Sequence, residues 1–175
     1  MLIAFCILLG VARAQLGAPD RLRADVQSVE VPAGEHLVLR AEGRGFQVYR
    51  CDRHGQGAEW TFVAPDAKLF VRGVEAGSHG AGSGGGPVWR NRDGSAVWGE
   101  VLAKAPSPSP GAIPLLLLKA VKTEGSGVFS NVNYIQRMDT RGGNAPLDGC
   151  DTGHVGAEAR SPYSAMYSFF AAATQ

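Results

Sequence analysis

Apolar residues recur at every second position through much of the chain, in runs too short for helices and broken by Gly, Pro, Asn and Asp. Leu37-Val38-Leu39 follows the turn Pro32-Ala33-Gly34, and Phe46 to Cys51 alternates and is rich in β-formers. Trp60-Thr61-Phe62-Val63 ends at Ala64-Pro65-Asp66, and Lys68 to Val71 follows almost directly. Val88-Trp89 and Ala96 to Leu102 flank Asp93-Gly94, a pair that suits a hairpin turn because glycine supplies the positive φ such turns need. Leu115 to Leu118, with Ala120 and Val121, reads as a strand buried on both faces. Val128 to Met138 alternates, with Val128, Val132 and Tyr134 on one face. Tyr163, Ala165, Tyr167 and Phe169 line one face of a last strand, and Ala171 to Ala173 reads as frayed. No helical stripe of useful length is present. Eight to eleven strands at about ten-residue spacing predict an all-β, single-domain β-sandwich or distorted barrel.

Two segments fall outside the alternation. Gly73 to Gly86 is rich in Gly and Ser and reads as a mobile loop. Ala105 to Pro114 carries four prolines and reads as an extended connection. Glycine, at 24 of 175 residues, has no triplet period, which excludes collagen and favours a turn-rich chain. No longer repeat indicates a solenoid or propeller.

The first residues read as an address. Leu2 to Val11 is an apolar run closed by Ala12-Arg13-Ala14, so residues 1–14 fit a secretory signal peptide and 15–175 one secreted domain. Ten residues are too few for a helix that spans a bilayer, and no later stretch is long and apolar enough to do so. Cys6 leaves with the leader, and Cys51 and Cys150 remain as an even pair bound for an oxidising compartment, which predicts one disulfide between them. Loss of Arg13 takes the formal charge from +1 to zero. That balance offers no basic stripe for nucleic acid and no polybasic patch for a membrane surface.

Motifs for chemistry are scarce. Gly80, Gly82 and Gly85 fit G-x-G-x-x-G, but Pro87-Val88-Trp89 follows where a dinucleotide site needs a helix. Neither a P-loop nor a G-x-S-x-G elbow occurs. The four histidines show no H-x-H or H-E-x-x-H spacing. A metal site would have to be assembled in space, from His79 and His154 with Asp151 or Asp139 as carboxylate, and would suit copper or zinc. Trp60, Trp89 and Trp98 with the tyrosines could stack on carbohydrate, although alternating aromatics more often build a core. Arg141-Gly142-Gly143-Asn144 reads as a tight bend whose glycines answer either to strain or to a ligand.

Taken in order, these residues resemble a known family. They run from Val31-Pro32-Ala33-Gly34 through Gln47 to Cys51, Trp60 to Pro65 and Ala67 to Phe70. They continue with His79, Gly86-Pro87-Val88-Trp89, Asp93-Gly94-Ser95 and Ala112-Ile113-Pro114, and end with Ile135-Gln136-Arg137, Thr140 to Gly143, Gly149-Cys150 and Tyr163-Ser164-Ala165. The chain is similar over about residues 26–170 to a family of secreted bacterial and fungal proteins catalogued as a domain of unknown function, family 3455. The resemblance implies a secreted single domain and no particular chemistry. Two departures from the family pattern stand out. The stretch after His79 is expanded to Gly80–Gly86, and Leu115 replaces a usual Trp. Enzyme labels transferred among such proteins include a superoxide dismutase, whose copper site needs the H-x-H pair missing here.

The functional expectation is therefore a secreted, non-enzymatic extracellular or cell-surface binding protein. Its unidentified ligand includes carbohydrate among the candidates, and its site gathers His79, Trp89, Arg141 and Asn144. The competing reading is a copper- or zinc-dependent redox protein using His79 and His154.

Overall fold

The computed structural model describes residues 27–173. The proposed leader, residues 1–14, lies outside them. Eight antiparallel strands follow in chain order: β1 (Glu35–His54), β2 (Gly57–Val71), β3 (Val74–Ala81), β4 (Pro87–Asn91), β5 (Ala96–Ala105), β6 (Leu115–Glu124), β7 (Val132–Gly142) and β8 (Glu158–Ala172). Each pairs with the next, and β8 returns to β1, so the sheet closes into a ring and belongs to the barrel side of the expected fold. The described residues include no helix long and apolar enough to cross a membrane.

Alternation explains the inside of the ring. Ala41 on β1, Leu69 on β2, Val97 on β5, Leu116 and Leu118 on β6, and Ile135 on β7 point inward. Tyr163, Ala165, Tyr167 and Phe169 of β8 join them, as their spacing predicts. Leu115 and Leu117 face outward, where Val29 and Ala105 cover them, so this part of β6 is buried on both faces. The strand's apolar character does not continue, and Val121 is exposed.

Several segments depart from the alternation as read from sequence, each for a structural reason. Leu37–Leu39 and Phe46–Cys51 belong to one long strand, β1. β2 runs unbroken through Pro65, because Val63 is accommodated as a bulge opposite Val48/Tyr49 and β3 pairs only as far as Ala67, so Pro65 meets no partner strand on that side. Most of the predicted mobile loop is strand β3, whose backbone pairs with β2 on one side and β4 on the other. A shift at Asn133 separates Val132, which packs in the barrel core, from Tyr134, which packs outside. Ala171 and Ala172 belong to β8 and are not frayed. The Asp93-Gly94 hairpin forms as expected, with Gly94 at φ +89. The Asp93 carboxylate accepts bonds from the Ser95 amide and hydroxyl and from the Val128 amide, which fastens this turn to the 125–131 loop.

The two ends of the barrel differ. One carries the short turns at 72–73 and 92–95 and the 125–131 loop, and there Phe129 packs on Phe169 to close the lumen. The other carries the β3–β4 turn, the proline-rich β5–β6 connection and the 143–157 loop. The predicted Cys51–Cys150 disulfide forms at this second end, with the Cα atoms 5.3 Å apart. It ties β1 to the 143–157 loop, whose Ala157 carbonyl accepts a bond from the Cys51 amide.

Candidate functional site

A cavity of about 320 Å³ opens at the disulfide end, where β3 and β4 are short and the wall of the barrel is low. That is room for on the order of ten water molecules. Eight-stranded barrels are about the size at which the lumen either fills with side chains or holds one small ligand. Phe62, Val63 and Val101 form an apolar rim that is partly exposed. The Gly82–Gly86 turn stands beside it, held by a bond from the Gly82 amide to the Gly86 carbonyl.

The polar groups of this cavity are set by register. His79 of β3 lies directly opposite Trp89 of β4, so their rings stack with centroids 4.3 Å apart and planes 6° apart. The edge of Tyr167 meets His79 at 5.0 Å. Gly43 of β1 makes room for that tyrosine, since a Cβ there would lie 2.6 Å from its ring. The Tyr163 and Tyr167 hydroxyls are 3.3 Å apart. Burial pushes both phenols well above their ordinary range, so they stay protonated donors. Arg137 of β7 pairs with Leu116 and Tyr167, two inward residues, and lines the same cavity. Its Nε and Nη2 donate to the Pro114 carbonyl at 3.0 and 2.8 Å.

His79 is buried and donates from Nδ1 to the Val88 carbonyl at 3.0 Å, which leaves Nε2 as an acceptor. Burial above all, opposed by the Val88 bond and aided by the Arg137 charge, pushes its pKa down to about 3. A base so weak does no useful proton transfer near neutral pH. The stability consequence has a definite sign. Between pH 6.5 and 3 the unfolded chain takes up a proton that the native imidazole refuses, so stability falls as pH falls through that window. Urea titrations across it are expected to show that slope, and His79→Gln is expected to flatten it. An unchanged slope in the variant refutes the assignment.

Two buried side-chain atoms among the described residues have no hydrogen-bond partner: Gln47 Nε2 and Trp89 Nε1. Both residues line this cavity. Gln47 approaches the Tyr163 hydroxyl closely enough to influence it, but not in a geometry that makes a hydrogen bond. An unsatisfied buried donor costs about 1–3 kcal/mol, and two around one cavity call for an explanation.

The residues read from sequence divide. His79 and Trp89 come together in the cavity. Arg141 and Asn144 do not join them, as both are exposed at the end of β7. Here the Gly142-Gly143 bend is structural: both residues have positive φ, and a Cβ on Gly143 would press on Tyr163, Ile113 and Gln47 at 2.9–3.1 Å. His154 is also apart from His79. It is exposed in the 143–157 loop, where its Nδ1 lies 2.8 Å from Asp151 Oδ1. The described residues contain no group of three or more His, Cys, Asp and Glu side chains that could hold a metal ion, so the His79–His154–Asp151 set is not assembled. Trp89 and Trp98 are buried, and Arg90 and Lys122 cover the Trp98 ring. Trp60 donates to the Asp148 carbonyl, so the three tryptophans form no common stacking platform.

Tyr167 lines the cavity and was expected only among the aromatics that could stack on carbohydrate. Gln47 and Arg137 were not anticipated as site residues, although a usable signal existed for both. Gln47 is in phase with inward Tyr49 and Cys51, and Arg137 with inward Ile135, so each is a polar residue on a core-facing position.

The model of a family described as protein of unknown function (DUF3455) matches residues 32–171. No curated protein and no solved structure matches the chain.

Proposed function

The chain belongs to the DUF3455 family of proteins of unknown function, a description that assigns no activity, and we propose that it is a secreted, non-enzymatic binding protein that encloses one small, chiefly apolar ligand in its lumen. The observation that carries this reading is a cavity walled chiefly by apolar residues, Leu116, Leu118, Pro65 and Ala81 among them, whose lining residues Gln47 and Trp89 each bury an unpartnered donor, Nε2 and Nε1. Binding sites are typically apolar hollows with a few convergent polar groups, and a ligand acceptor would satisfy donors that the fold leaves open. The apolar rim suits entry of such a molecule. Export is supported by the sequence of the leader and by the disulfide.

Fluorine NMR with para-fluorobenzyl alcohol tests the reading. The protein is expected to bind one probe per chain, with a shifted resonance that disappears in Ala81→Trp, where the new ring, in phase with inward His79 on β3, fills the mouth. A probe resonance unchanged by the protein, together with no small molecule released on denaturing protein from the exported fraction, overturns the proposal.

A further inference from the structure

We propose that the lumen ligand carries a carboxylate on its apolar body, and that Arg137 selects it. The inference deepens the lumen-binding reading and rests on it. Among the described residues, the only formal charge in the cavity lining is the guanidinium of Arg137, and no Asp or Glu lines the cavity. Among the described residues no carboxylate forms a salt bridge with Arg137. Its Nε and Nη2 meet only the neutral Pro114 carbonyl, which holds the side chain in place without cancelling its charge. The charge reaches the lumen: it disfavours protonation of His79 and favours the ionised forms of Tyr49, Tyr163 and Tyr167.

The neutral groups add donors. Gln47 Nε2 and Trp89 Nε1 are unpartnered, and Tyr167, which lines the cavity, has its own proton free to donate when its oxygen accepts from the Tyr163 hydroxyl. A carboxylate accepts several hydrogen bonds at once, and bonds from a cationic donor are the strong ones. A hydroxyl or amine head would bring donors to a surface already rich in them. The walls of Leu116, Leu118, Pro65 and Ala81 require that the rest of the ligand be apolar.

Calorimetric titrations of the full chain at neutral pH compare heads on two bodies: octanoate, octanol and octylamine, and phenylpropionate with phenylpropanol. On at least one body the carboxylate is expected to bind ten-fold or more tighter than the alcohol, with octylamine weaker than octanol. Arg137→Met is expected to bring the carboxylate down to the level of the alcohol without changing the alcohol, and Arg137→Lys to keep part of the preference. Alcohol binding equal to carboxylate binding overturns the carboxylate and leaves the lumen reading standing. Tighter octylamine, or a preference that survives Arg137→Met, also overturns it. If no compound on either body binds, the carboxylate falls, and the fluorine probe with the release from exported protein decides the lumen reading. The wild-type comparison alone decides the head group should Arg137→Met fail to fold.

Discussion

Replacing Cys51 and Cys150 together by serine is expected to lower the unfolding free energy by about 2–5 kcal/mol, measured by denaturant titration against the oxidised parent. The bond joins residues 99 apart in sequence, with β2 to β7 lying wholly between them. In the chain-entropy account, such a long loop greatly restricts the unfolded chain, and its release adds conformations to that state alone. The native structure keeps other ties at this point. The Cys51 amide donates to the Ala157 carbonyl and the Gly156 amide to the Cys51 carbonyl, each at 2.8 Å. The double variant is therefore expected to fold, with hydrogen exchange faster in the 143–157 loop than in β4 and β5. Equal stability with and without the bond refutes this account.

Trp89→Ala is the second large effect, expected to cost about 3–5 kcal/mol because it empties a fully buried aromatic position. Trp89 touches His79 by stacking and Tyr167 and Phe169 by their edges, so its removal opens a void across β3, β4 and β8. Trp89→Phe separates packing from polarity. It keeps a ring against His79 but deletes the unpartnered indole N–H, so its cost is expected to be well below that of alanine. Its affinity for a lumen probe is expected to fall nonetheless. A phenylalanine variant as unstable as alanine shows that the indole N–H has a partner in the folded protein.

The parts of the fold that were legible depended on local pattern. The β8 face of Tyr163, Ala165, Tyr167 and Phe169 was readable because nothing interrupts its period of two. The turn at Asp93-Gly94 was readable because glycine there meets a backbone need. β3 was not, since its sequence VEAGSHGA has few apolar residues and its order comes from neighbours on both sides. Bulges hid two other features: the continuation of β2 through Pro65 and the parting of Val132 from Tyr134. Half of the binding candidates, His79 and Trp89, proved to be neighbours because adjacent strands place them opposite one another. Arg141 and Asn144 flank a pair of glycines that suggests a ligand site, but that bend makes room for Tyr163 and Ile113 and leaves both side chains outside. The polar members of the cavity lie on β1, β3, β4, β7 and β8, so only closure of the ring reveals that they share a space.

Closure through β1 and β8 also bears on how the molecule comes into being. Glu35 pairs with Ala172 and Arg50 with Glu158, so the first strand finds one of its two partners only at the far end of the chain. Contacts between such distant residues are slow to form, and each intermediate meanwhile exposes the unpaired edges of β1 and of the latest strand. A chain released before residue 158 would keep those edges open, ready to pair with a second copy. Closure of this domain thus waits for β8, and aggregation competes with the arrival of that strand.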